Sequence, residues 1–158
     1  MLDILFLILI ISLVGSITTA IENRNRLKHL KASNDPDKFI KVARHYKDKN
    51  KYKEAFTWFD KAAEKELPEA LYELSMCYDM GYGCGQDKEK AFRICSKSAE
   101  KGFRKAQSRM GYYYENGVGT TMDKIQAVYW YGEAAKNGDK LSEARLKKIE
   151  SELQEKSK

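Results

Sequence analysis

LPEALYELSMCYDMGYGCGQDKEKAFRICSKSAEKG, residues 67–102, runs directly into FRKAQSRMGYYYENGVGTTMDKIQAVYWYGEAAKNG, residues 103–138. The second stretch repeats the first at an offset of 36 residues. Ala70, Leu74, Gly81, Gly83, Asp87, Ala91, Ala99 and Gly102 return as Ala106, Met110, Gly117, Gly119, Asp123, Ala127, Ala135 and Gly138. A period of this length with the small residues held in place is the pattern of stacked helical hairpins, each unit burying its apolar face against its neighbours. No stretch alternates with period two, so no strand is predicted.

Working outward from the repeat, the apolar spacing predicts helices at about 37–49, 51–65, 67–80, 87–101, 103–116, 123–137 and 140–155. Small residues supply the close approach that each hairpin needs. Ala43, Ser75 and Gly111 lie on first helices, and Ala55, Ala91 and Ala127 on second helices, where a large side chain would overpack the contact. Gly102 and Gly138 are placed to end second helices in the left-handed conformation. Glu66 holds the equivalent place in the first unit, so a different closure is expected there, helped by Pro68. Ser142, Leu146, Ile149 and Leu153 form one stripe on a charged C-terminal segment, 140–158, which fits a capping helix.

The other end has a different character. Ile4 to Ile21 carry no charge, and 18 residues at 1.5 Å each reach roughly 27 Å, close to the ~30 Å hydrocarbon core of a bilayer. Residues 1–22 therefore predict a transmembrane or signal-anchor helix. Residues 23–36, with Arg24, Arg26, Lys28 and Lys31, predict a basic juxtamembrane linker, or a helical extension of the anchor, able to lie against anionic headgroups. Two placements follow. Basic residues flank the cytoplasmic end of a span, which gives a single-pass anchor with the repeats in the cytoplasm. The alternative is an exported, periplasmic or secreted domain, although Met1-Leu2-Asp3 lacks the basic start of a signal peptide and Thr18-Thr19-Ala20 is a weak cleavage site.

Composition narrows the function. The chain has 29 Lys and Arg against 23 Asp and Glu, a net charge of +6. The two signs are interspersed, which marks a solvated helical surface and argues against nucleic-acid binding. Cys77, Cys84 and Cys95 do not have the spacing of zinc ligands. They read as buried thiols, with a Cys77–Cys95 bridge as the alternative in an oxidising compartment. GYGCG at 81–85 lacks the Lys-Ser/Thr of a phosphate loop, and its counterpart GVG at 117–119 marks it as a turn between helices. His45 has one acidic neighbour at helical spacing, Asp48, and reads as half of a surface ion pair. No base, orienter and nucleophile converge, so neither catalysis, nor a cofactor, nor a metal site is expected.

These residues resemble a known family. Ala70-x3-Leu74, Tyr78-x2-Gly81-Tyr82-Gly83, Asp87-x3-Ala91 and Ala99-x2-Gly102 are similar to the Sel1-like repeat, a relative of the tetratricopeptide repeat. Residues 106–138 resemble a second copy. YKDKNKYKEAFTWFDKAAEK, residues 46–65, is four residues shorter in spacing, lacks the Gly-x-Gly turn and is similar to a tetratricopeptide repeat proper. The resemblance implies an all-α fold: a short α-solenoid of three helix-turn-helix hairpins (37–66, 67–102 and 103–138 within 37–140) plus a capping helix. It further implies a non-catalytic adaptor that binds a protein or peptide on its concave face. Related bacterial proteins scaffold envelope processes, regulate signalling or neutralise toxins. Register on the first helices places Asp37, Ile40, Arg44 and Lys47, then Glu69, Tyr72, Met76 and Asp79, then Lys105, Ser108, Tyr112 and Glu115 on that face. Tyr72, Met76 and Tyr112 would form its apolar strip; the other reading is that they pack against the next hairpin.

Overall fold

A computed structural model describes residues 2–33 and 35–156; the side chains of residues 2–11, 14, 153 and 156 lie outside that description, and with them most of the apolar run and Leu153 of the C-terminal stripe. The described residues form eight helices and no strand: α1 (Leu2–Ala32), α2 (Pro36–Asp48), α3 (Tyr52–Ala63), α4 (Pro68–Met80), α5 (Lys88–Glu100), α6 (Arg104–Asn116), α7 (Lys124–Lys136) and α8 (Lys140–Lys156). Each helix packs on the next in sequence, so the hairpins α2–α3, α4–α5 and α6–α7 stack as an α-solenoid with α8 against α7. Within the 23–36 stretch the chain continues α1 as far as Ala32, and α1 packs on α2. Among the described residues no helix is long and apolar enough to cross a membrane.

Local chemistry sets the boundaries. Asp87 and Asp123, one period apart, cap α5 and α7 by accepting backbone N–H bonds from Lys90, and from Ile125 and Gln126. Lys51 holds the same place before α3 and makes no side-chain cap. Gly83 and Gly119 fix how units meet. Both have positive φ, and a Cβ would stand 2.1 Å from the Tyr52 carbonyl oxygen in one case and 2.0 Å from that of Lys88 in the other. Each turn thus presses onto the start of the preceding second helix, and only glycine fits.

The closure after α3 differs from expectation. Glu66 adopts φ 53°, the left-handed conformation that Gly102 and Gly138 adopt at 83° and 82°. Its N–H bonds Ala63 as those of Gly102 and Gly138 bond Ala99 and Ala135. The repeat geometry overrides the residue's own preference, while Lys101 pairs with the Glu66 carboxylate at 3.1 Å.

The apolar interior lies at the joints. One cluster gathers Ile40, Phe59, Leu71, Leu74 and Cys77, a second Cys95, Met110 and Tyr113, and a third Ala127, Tyr131 and Ile149. Leu141 is exposed, outside the α8 stripe.

Candidate functional site: the groove across α4, α6 and α8

The first helices are stitched to one another by charge. Arg44 on α2 pairs with Glu69 on α4, and Lys47 reaches Glu73 at 2.8 Å. Burial works against the Lys47 charge, but the hydrogen bond and the charge of Glu73 outweigh it and hold its pKa above the usual lysine value. Between α4 and α6, Asp79 faces Arg109 at 3.9 Å. Between α6 and α8, Ser142 donates to Ser108 at 2.8 Å, and Glu115 accepts from Tyr131 and pairs with Arg145 at 3.5 Å.

This divides the expected face in two. On the α2 side it is closed. Ile40 is only 3% exposed and belongs to the core, so its placement on a partner face is corrected: an apolar residue beside Phe39 and Ala43 packs inward. Asp79 is buried, Arg44 and Lys47 are paired, and Asp37 sits exposed at the start of α2. On the α6 side the face opens into a groove of about 340 Å³. Tyr72 from α4, Ser108, Arg109 and Tyr112 from α6, and Tyr131 from α7 form its walls; Lys105, Asp139, Leu141 and Arg145 complete it. Met76 is half-buried and does not line it.

Tyr72 is half-buried against Phe103, ring centres 5.4 Å apart, and Tyr112 is 41% exposed. Arg109 lies 5.3 Å from the Tyr112 ring centre and 5.8 Å from that of Tyr113, so its cation is answered by Asp79 and by two aromatic faces. Burial, and then the bond to Glu115, push the Tyr131 phenol well above its usual range and keep it a neutral donor. Lys105 has no ion-pair partner among the described residues. The groove therefore offers aromatic surface beside one uncommitted cation.

Sequence reasoning missed Arg109, Tyr131, Asp139, Leu141 and Arg145. Arg109 was within reach, since it follows Lys105 by four residues on one helix face. Leu141 and Arg145 on α8 stand 36 residues after Lys105 and Arg109 on α6, so the repeat register does reach them, but the apolar stripe of α8 marked that helix only as a cap.

The other candidates are structural. All three cysteines are free. Cys77 and Cys95 belong to different core clusters, and burial first pushes both thiols up to about 12. Such thiols are poor nucleophiles. His45 forms no ion pair with Asp48 and is half-buried. Burial first, then the charges of Lys49 and Lys31, hold its pKa below the usual histidine value, with Asp48 opposing Lys49 and Lys31. Among the described residues no three His, Cys, Asp or Glu converge as metal ligands.

Comparison with known proteins agrees with the architecture. The Sel1 repeat model matches residues 45–67, 68–103 and 104–139, the first match falling in the unit that reads as tetratricopeptide-like. A Sel1 repeat protein from Oxalobacter formigenes superposes with a TM-score of 0.69 at 32% identity, over 73% of this chain and 49% of that one. The protective antigen c5321 of uropathogenic Escherichia coli, which displays an SLR fold, gives 0.57 at 25%, over 75% of this chain and 34% of that one. Cysteine-rich protein B of Helicobacter pylori gives 0.56 at 24%, over 58% and 69%, and bears on the fold alone. This chain thus spans about half the length of the first and a third of the second. A search of curated proteins finds no match. Three tandem matches over more than half its length, on a solenoid of paired helices typically used as a protein-interaction scaffold, make this chain a member of the Sel1 repeat family.

Proposed function

We propose that this protein is a non-catalytic scaffold that takes a segment of another protein into the α4/α6/α8 groove. The observation that carries the proposal is the groove itself: Tyr72, Tyr112 and Tyr131 beside Lys105, whose charge meets no carboxylate among the described residues. Its chemistry suits a short segment that presents an apolar or aromatic side chain next to a carboxylate. Binding energy at such surfaces concentrates on a few large central side chains, while rim charges set orientation and on-rate. Crosslinking of the full chain in its host tests this. The Tyr72→Ala, Tyr112→Ala double variant should lose a partner band without a change in melting temperature. Survival of every band would place binding elsewhere.

The second part of the proposal is that α1 holds the scaffold at a membrane, with the repeats on the cytoplasmic side. The apolar run Ile4–Val14 and the basic residues after it support this reading. The export reading, as for a toxin-neutralising partner, uses the same run with the opposite placement. Alkaline phosphatase fused after Lys158 separates the two: low activity in a bacterial host fits the cytoplasmic placement, and high activity fits export.

A further inference from the structure

We propose that the cleft between α1 and α2 is a binding site for the headgroup phosphate of an anionic phospholipid. The site rests on the membrane reading of α1, and its test separates the two.

The observation is an unanswered cluster of cations on two helices. α2 folds back along α1. Lys41 and His45 face residues 23–30, and His45 and Lys49 face residues 16–27. The deeper part of the cleft holds about 510 Å³ and brings Arg24 of α1 beside His45 and Lys49. Arg26 and Lys41 line the adjoining part. Arg24, Arg26, Lys41 and Lys49 form no ion pair among the described residues, and Glu22 and Asp48 pair with none of them. On the first-helix face Arg44, Lys47, Arg109 and Arg145 meet carboxylates, and among the described residues Lys105 alone is left open there. The hydroxyls of Ser16, Thr18 and Thr19 are turned onto carbonyls of their own helix, which leaves the cations and the Asn23 amide as the groups able to bind.

Position selects the ligand. Arg24 and Arg26 lie about 4.5 and 7.5 Å beyond Ile21 along a helix of 1.5 Å rise. The headgroup layer is about 5–8 Å deep on each side of the hydrocarbon. His45 and Lys49 meet α1 where Ser16–Arg24 turn from apolar to polar, and a lysine stem can carry its charge outward from there. A phosphate in that layer would meet charges from both helices, and would tie the solenoid to the bilayer at a fixed angle.

The test uses the full chain and its Lys41→Gln, Lys49→Gln variant, one position exposed on α2 and the other exposed at the C-cap of α2. Each is floated with vesicles of phosphatidylcholine alone and with vesicles that also contain phosphatidylglycerol. After extraction in mild detergent, native mass spectrometry counts the lipid that remains bound. The wild type should enter both vesicles and retain phosphatidylglycerol over phosphatidylcholine. The variant should enter both equally and retain about 25-fold less phosphatidylglycerol, since each of the two cations removed is worth about fivefold near the surface. Failure to enter phosphatidylcholine vesicles overturns the anchor and the site together. Normal entry with equal retention by the variant overturns the site alone. Displacement of the lipid by inorganic phosphate would make the cleft a free-anion site and overturn the lipid assignment.

Discussion

Residue volumes at equivalent positions are traded between the two helices of each hairpin. Ser75 meets Cys95 and Gly111 meets Tyr131, and the equivalent residues of the first unit, Ala43 and Phe59, share one core cluster. In the third unit a Cβ on residue 111 would stand 2.5 Å from the Tyr131 ring. The slot shared by Cys95 and Tyr131 is legible in the repeat, but the compensation is not, because it depends on a contact between helices. Gly111→Ala should therefore destabilise the full chain by about 1–2 kcal/mol, overpacking outweighing the helix propensity gained. Gly111→Ser with Tyr131→Cys, the pair of the second unit, should cost less than the sum of the singles in urea unfolding; strict additivity would mean that the pair does not interact. Glu66 is the converse case. Sequence alone argued that a non-glycine residue must close its turn differently, yet the stack imposes the same left-handed backbone. Glu66→Gly should raise stability by about 1 kcal/mol, since the lost pair with Lys101 is solvent-exposed and worth little. A lower melting temperature would sink that reading.

At the scale of the element, the helices were legible because each is short, periodic and bounded by its own chemistry. Asp87 and Asp123 announce α5 and α7, and Gly81 and Gly117 end α4 and α6 in left-handed turns. α1 was read only in part. Composition shifts at Ile21 suggested a boundary, but arginine, lysine and leucine are good helix formers and α1 continues to Ala32. α3 shows where a signal is missing, because Lys51 stands where an aspartate caps its counterparts. Lys51→Asp should add about 0.5–2 kcal/mol by supplying the absent N–H acceptor and a favourable charge at the helix start. Thermal melts of wild type and variant decide it. An unchanged midpoint would mean that the backbone before α3, at ψ 68°, cannot present the carboxylate.

For the whole molecule, the solenoid followed from the 36-residue period, whereas the groove followed only in part. Tyr72, Lys105, Ser108 and Tyr112 were legible because they recur in register on first helices. Tyr131 and Asp139 were not, since they enter from a second helix and the turn after it, and Leu141 and Arg145 were not because the register was not carried from α6 onto α8, whose stripe marked it as a cap. Ile40 was misplaced because register alone does not say which side of α2 the core takes. The central claim is that a protein segment binds where Tyr72, Tyr112 and Lys105 meet. The direct measurement is photocrosslinking in the native host from a photoreactive phenylalanine in place of Tyr112, compared with the same probe in place of Arg93, which is exposed on α5 away from the groove. The account predicts a protease-sensitive adduct from position 112, lost when Tyr72 is changed to alanine, and none from position 93. Equal adducts from both positions, or an adduct from position 93 alone, would contradict it.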